Sequence, residues 1–208
     1  MDIIYKGAEA TLYKGEYLGY QTVEKERKPK KHRIEKMDRT IRERRTKNEA
    51  KMIKKAREAV NTPYIFRIDP EKSKITMEYI KGQTLKERIK QGKENPEKIG
   101  RKIGKLVKNL HELDITHNDL TTSNIIRKDN ELYFIDFGLA ENTKKTEDKA
   151  MDLLVFKKML KSTHWKQFKD IWENLKKEYG KKHVLKRLKK IEKRARYTEK
   201  ENEKPKNN

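Results

Sequence analysis

The sequence predicts an α+β chain in two lobes, an antiparallel sheet with one helix followed by a helical half. Three observations carry that reading. Short β-patterned runs crowd the first 80 residues, whereas periodic apolar helices dominate from Leu85 onward. One long, basic helical stretch interrupts the first group. Two polar signatures, His117-Asn118-Asp119-Leu120-Thr121-Thr122-Ser123-Asn124 and Asp136-Phe137-Gly138, then follow with twelve positions from Asn124 to Asp136.

In chain order, Ile3-Ile4-Tyr5 and Thr11-Leu12-Tyr13 read as a hairpin around Gly7-Ala8-Glu9-Ala10. Tyr20 to Lys25 is a third strand whose alternation puts Val23 and Lys25 on one face, and Pro29 ends it. From about Asp38 to Ala59 the pattern is helical, with few apolar positions, until Asn61-Thr62-Pro63 stops it. Tyr64 to Ile68 and Lys74 to Tyr79 are further strands, and Glu78-Tyr79-Ile80-Lys81-Gly82 connects the lobes.

Leu85 to Lys90 and Pro96 to Leu113 read as helices, the second with Ile99, Ile103, Leu106, Val107 and Leu110 at helical spacing. Short strands at Asn124–Arg127 and Leu132–Ile135 flank the turn Lys128-Asp129-Asn130. A helix opening near Thr146 or Glu147 runs through Leu160, and two more lie near 165–178 and 182–196. Residues 1–80 are thus expected to form the first lobe and 81–197 the second, with 198–208 a disordered basic tail.

Composition narrows the function. The 208 residues suffice for one sizeable core or two small lobes. There is no cysteine, which excludes disulfides and thiolate metal sites, and the five histidines lack metal-ligand spacing. No apolar run is long enough to span a bilayer and no signal peptide opens the chain, so a soluble cytoplasmic protein is expected. The net charge is +22, and it is concentrated: residues 25–57 carry 16 Lys/Arg against 5 Asp/Glu, and residues 176–206 carry 14 against 5. Such segments attract polyanions, nucleic acid foremost; the alternative is a set of solvated helix faces.

The two polar signatures carry the chemistry. H-x-D-L-x-x-x-N followed by I-D-F-G is a protein-kinase-like pattern. A hairpin between the two would bring Asn124 and Asp136 to one end of a site, as hard oxygen ligands for phosphate-bridging magnesium. Asp119 has the spacing of the carboxylate needed near an incoming hydroxyl. Lys25 is the candidate for holding the α/β-phosphates of ATP, with Lys28 and Lys30 as competitors. Glu49 is best placed to fix Lys25, with Glu43 and Glu58 as alternatives. Gly7, Ala8, Glu9 and Ala10 form a loop positioned to cover the phosphates, though with one glycine where such loops usually have three. Main-chain groups of the connector, at Glu78 and Ile80, are placed to grip adenine. Asp152 is placed to brace the catalytic loop. Fewer than ten residues separate Gly138 from the next helix, and no Arg precedes Asp119, so switching by loop phosphorylation is not expected.

These pieces together resemble the PRPK-type atypical kinases of the KEOPS complex, which assists threonylcarbamoyl-adenosine formation on tRNA. The matching residues are Gly7-Ala8-Glu9-Ala10, Val23-x-Lys25 with Arg27, Pro29, Lys30 and Arg33, then Arg45-Thr46-x-x-Glu49-Ala50. Asp119 to Asn124, Ile135 to Leu139 and Glu147-Asp148-Lys149-Ala150-x-Asp152-Leu153 complete the set. Asn118 replaces the family's usual glycine, and Asn tolerates unusual backbone angles better than most residues. The family's basic end is matched only by Arg194-Ala195-Arg196.

The resemblance implies a small two-lobed protein-kinase-like fold that binds ATP and Mg2+. It implies an atypical serine/threonine kinase or ATPase whose partners are the threonylcarbamoyl-transferase subunit, a small accessory subunit and tRNA, with no membrane. By position it assigns Lys25 to the phosphates, Glu49 to Lys25, Asp119 to base or water orientation, and Asn124 and Asp136 to magnesium. Two other readings stand beside it: a RIO-like or small-molecule phosphotransferase, and a non-catalytic RNA-binding scaffold. Retention of Asp119, Asn124 and Asp136 together argues against the scaffold.

Overall fold

The computed structural model describes residues 2–30 and 33–202, with side chains through Arg194. The chain begins with strands β1 (Asp2–Lys6), β2 (Ala10–Tyr17) and β3 (Tyr20–Arg27), followed by helix α1 (Glu35–Ala56) and strands β4 (Ile65–Asp69) and β5 (Lys74–Glu78). These strands form one antiparallel sheet in the order β1-β2-β3-β5-β4. Its inner face is small: Ala50 of α1 packs on Ile75 and Met77, with Val23 and Ile65 alongside.

Helix α1 starts at Glu35 and ends at Ala56, three residues earlier at each end than its sequence pattern suggests. Its start is anchored by tertiary contacts. Buried Asp38, in the first turn, accepts from Arg42 at 2.6 Å and Arg33 at 3.5 Å. Past its end the Thr62 hydroxyl donates to the Ile53 carbonyl at 3.3 Å, and the Asn61 carbonyl accepts the Phe134 N–H of the other lobe at 2.8 Å. Met52, Ile53 and Ala56 join the core of the second lobe, so α1 contributes to both cores.

The second half holds α2 (Leu85–Lys90), α3 (Pro96–Glu112), α4 (Thr146–Thr163), α5 (Phe168–Tyr179) and α6 (Lys182–Asn202). Helix α2 has a full capping box from Thr84 and Glu87, and α3 is capped by Asn95 with a proline in its first turn. Helices α3 and α5 approach backbone to backbone. A Cβ on Gly100 would fall 2.4 Å from the Ile171 carbonyl, and one on Gly104 would fall 2.5 Å from that of Leu175. Short strands β6 (Gln83–Thr84), β7 (Ile115–Thr116), β8 (Ile125–Lys128), β9 (Glu131–Phe134) and β10 (Glu141–Asn142) form two small sheets, β6-β8-β9 and β10-β7.

The tail expected to be disordered from 198 is helical through Asn202; its remaining residues, 203–208, lie outside the described ones. The buried Val184 and Leu188, with Ile191 packed beside them, seat α6, and its Lys, Arg and Glu residues are good propagators. No helix among the described residues is long and apolar enough to cross a membrane.

Candidate active site

Lys25 lies on β3, paired with Leu12 on one side and Ile75 on the other, with its side chain on the buried face. Its ammonium donates to Glu49 Oε1 at 2.7 Å and to Asp136 Oδ1 at 2.8 Å. Glu49 comes from the middle of α1 and is fully buried. Burial alone would lower the Lys25 pKa, but Glu49 and then Asp136 outweigh it and the value is raised. Burial likewise pushes Asp136 up, yet the Lys25 charge and hydrogen bond, with the Gly138 N–H, hold its carboxyl below the ordinary 3.8. Lys25 is therefore a fixed cation and Asp136 a fixed anion.

The sequence did not single out a second cation at Glu49. Arg27, two positions along the same strand face, donates from Nη2 to Glu49 Oε2. The alternatives Glu43 and Glu58 are elsewhere: Glu43 pairs with Arg39 at 2.8 Å, and Glu58 is exposed beyond the end of α1. Of the lysines weighed against Lys25, Lys28 turns outward to Glu26 at 2.7 Å, and Lys30 donates to the Ala8 carbonyl at 2.5 Å.

That second contact ties down the Gly7–Ala10 loop. Gly7 N–H donates to the Ala10 carbonyl at 3.0 Å, and Glu9 accepts from Arg45 of α1 at 2.8 Å. The Glu9 side chain is thus a tether to α1. A Cβ on Gly7 would lie 2.7 Å from the exposed Tyr5 ring, which would have to swing aside.

The loop from His117 to Asn124 is shaped by a buried carboxylate. Asp152 of α4 accepts the main-chain N–H of His117 at 2.9 Å and of Asn118 at 2.8 Å. His111 Nε2 lies 3.1 Å from Asp152, and its Nδ1 lies 2.7 Å from the Tyr179 hydroxyl. Burial would raise the Asp152 pKa, but the His111 contact and the loop N–H groups hold it below 3.8. Asn118 has φ 61°, left-handed backbone that Asn tolerates. His117 packs its ring 4.8 Å from that of Phe137 and contacts the Ile135 carbonyl through Nε2 at 3.1 Å. Thr122 meets His164 Nε2 at 2.9 Å.

Asn124 donates its amide to both the carbonyl and the Oδ2 of Asp119, each at 2.9 Å. The Ile135 N–H donates to the Asn124 carbonyl at 3.0 Å, and the β8–β9 hairpin thereby sets Asn124 beside the strand end that leads into Asp136. Asp136 itself adopts φ 60°, and its side chain is 46% exposed. Its Oδ1 takes Lys25 and the Gly138 N–H, which leaves Oδ2 to face a cation. With the amide of Asn124 committed to Asp119, the Asn124 oxygen is the part available to a metal. One carboxylate and one amide oxygen are too few for a cation held by protein alone, and the described residues hold no cluster of three or more candidate ligands. The set does fit magnesium that brings phosphate oxygens and waters with it.

The connector is less committed. The Tyr79 N–H donates to the Gln21 carbonyl at 3.0 Å, the Glu78 carboxylate accepts the Tyr64 N–H at 3.3 Å, and Ile80 is buried. The Glu78 side chain therefore braces the sheet.

Comparisons with known proteins agree with this geometry. The protein kinase domain model matches residues 7–172. The KEOPS complex subunit Bud32 of Pyrococcus abyssi is 39% identical, covering 96% of this chain and 97% of that protein. The chain belongs to the Bud32 family of protein kinases. Longer relatives carry the same region. A probable bifunctional tRNA threonylcarbamoyladenosine biosynthesis protein of Methanococcus vannielii is 45% identical over 94% of the chain. One of the same description from Methanocaldococcus jannaschii is 42% identical over 95%. The chain spans 36% and 37% of these two relatives, about a third of their length. Membership of this kinase family implies a nucleotide-binding cleft.

Proposed function

We propose that this chain is the atypical kinase/ATPase subunit of a KEOPS complex, binding ATP with Mg2+ in support of threonylcarbamoyl-adenosine modification of tRNA. The observation that carries it is the convergence of Lys25, Glu49 and Asp136 within 2.8 Å contacts, from parts of the chain 24 and 111 positions apart. Lys25, steadied by Glu49, is the group for the α/β-phosphates. Asn124 and Asp136 would hold magnesium, and the Gly7–Ala10 loop would cover the phosphates. Main-chain groups at Glu78 and Ile80 would receive the base. When bound, ATP supplies the phosphoryl group and magnesium offsets its charge. Asp119, oriented by the Asn124 amide, accepts a proton from the attacking water or hydroxyl or aligns it for attack.

The short segment after Gly138 supports hydrolysis over peptide phosphorylation. Only residues 139–145 precede α4, and Glu141–Asn142 are committed to pairing with β7, so there is little platform for a peptide. Longer relatives, of which this chain spans 36%, are described as bifunctional and support a transferase subunit as the partner. The small accessory subunit, tRNA and a cytoplasmic setting complete the reading. The test is ATP hydrolysis by the purified chain with and without the transferase subunit and tRNA, together with phosphate tracking. Stimulated release of inorganic phosphate without a labelled acceptor is expected. Stoichiometric labelling of a protein or small molecule would favour the conventional phosphotransferase instead.

A further inference from the structure

Glu49 is a fully buried carboxylate at the centre of the site, and its counter-charge is divided. Oε1 takes Lys25 at 2.7 Å and Oε2 takes Arg27. A buried anion is tolerated only while it stays paired, and losing one partner is strongly destabilising. Lys25 is an unreliable partner, because it also serves Asp136 at 2.8 Å and must turn toward any phosphate that enters. Among the described residues Arg27 forms an ion pair with Glu49 and with no other carboxylate. Its side chain is 6% exposed, and its planar fork is pre-organised for a carboxylate.

Arg27 also lies beside the Asp136-Phe137-Gly138 turn, where a Cβ built on Gly138 would come 3.0 Å from its Nη2 and press on the guanidinium. One side chain of β3 thereby pairs with the middle of α1 and sits next to the turn that carries Asp136. Beyond that turn the chain has only residues 139–145 before α4, a segment too short to hold α1 by itself. The ties from that segment to α1 are a 3.2 Å bond from the Asn48 amide to the Ala140 carbonyl and one from Lys55 to Asn142.

We propose that Arg27 is a positioning residue. It holds Glu49, and with it α1, in the catalytic arrangement whether Lys25 is bound to Asp136 or to phosphate. Lys25 can then exchange one anion for another without leaving Glu49 uncompensated. The catalytic part of this inference rests on the ATPase reading above; the structural part does not.

The test compares Arg27→Met and Arg27→Lys in the full chain with two readouts. Amide hydrogen exchange around Glu49, in the absence of partners, reports the docking of α1. ATP turnover with the transferase subunit and tRNA, per folded molecule, reports the chemistry. Arg27→Met is expected to speed exchange across 46–53 and to lower kcat about tenfold or more, with KM for ATP changed by less than about threefold, the signature of lost arrangement rather than lost substrate affinity. Arg27→Lys, which keeps the charge but not the fork, is expected to recover part of kcat. A double mutant with Glu49→Gln is expected to be little worse than the worse single variant, since both act through one pair. Wild-type exchange in Arg27→Met, or multiplicative losses in the double mutant, would overturn the proposal. If Arg27→Met does not fold, Arg27→Lys decides: wild-type kcat and exchange would sink the idea. A wild-type protein without ATP turnover would refute the ATPase reading alone, because the exchange measurement needs no catalysis.

Discussion

Asp136 Oδ1 lies 2.8 Å from Lys25 Nζ although 111 residues separate them. The contact joins the sheet lobe to the helical lobe and lowers the pKa of one group while it helps raise that of the other. On the proposed ATPase reading, an entering phosphate would compete with Asp136 for the ammonium and magnesium would compete with Lys25 for the carboxylate. The pair would then be a neutral placeholder for both charges of the nucleotide.

Replacing Asp136 with Asn keeps the shape and removes the charge. Asp136→Asn is expected to lose ATP turnover by about a hundredfold or more, because the clamp on developing phosphate charge is gone. Its far-ultraviolet circular dichroism should remain that of the wild type. Turnover within a few-fold of wild type would show that this carboxylate is not the metal ligand.

The three lysines at the end of β3 should separate cleanly. Lys25→Ala is expected to reduce turnover about a hundredfold, since the cation meant for the phosphates is gone and Asp136 loses its partner. Lys28→Ala removes only a solvent-exposed pair with Glu26 and should be near neutral. Lys30→Ala loosens the loop at Ala8 and should fall between them, mainly as weaker nucleotide binding. Equal effects at Lys25 and Lys28, read by nucleotide affinity and rate, would contradict the strand register.

His164 gives a pH prediction. Burial lowers its pKa from 6.5 to about 4, with Lys90 and Lys86 adding to the shift. The unfolded chain therefore binds a proton between those values that the folded chain does not. Stability from keeping His164 neutral is fully present above pH 6.5 and declines as pH falls toward 4. Denaturant unfolding should show this decline in the wild type and a shallower one in His164→Gln. Parallel curves for the two proteins would rule out His164 as the source.

The basic segments should be read by tRNA affinity at several salt concentrations. Each phosphate contact in single-stranded or irregular RNA contributes a log–log slope of roughly −0.7. Charge reversal must use truly exposed positions. Arg42 is unsuitable, since it pairs with buried Asp38 at 2.6 Å and with Ser73 at 3.0 Å. Lys47→Glu with Lys54→Glu on α1, and Lys186→Glu with Lys189→Glu on α6, leave the core untouched. Each double variant should weaken tRNA binding and flatten the slope while nucleotide binding persists. Unchanged slopes in both would make the charge a solvated surface.

The sequence alone determined the order of the chemistry. The spacing of Asp119, Asn124 and Asp136 is local, and a hairpin between them follows from β patterning and a turn. Strand alternation alone sufficed to turn Lys25 inward with Val23, because a strand's faces repeat every second residue. The apolar stripe of α3 was equally legible, and Ile99, Ile103, Val107 and Leu110 are all in the core. Tertiary structure decided what depends on distant partners. Which of Glu43, Glu49 and Glu58 meets Lys25 was set by how α1 lies across the sheet. The Asn61-Thr62-Pro63 stop of α1 was legible, but the bond from the Phe134 N–H to the Asn61 carbonyl, which ties that stop to the other lobe, was not. Gly100 and Gly104 looked like ordinary glycines until the Ile171 and Leu175 carbonyls were seen to occupy the space a Cβ would need. Arg27 was legible as a residue that matches the family, but not as a buried partner of Glu49, since charge count does not reveal burial. Only the fold, by bringing Glu49 beneath two cations at once, distinguished it from the solvated lysines around it.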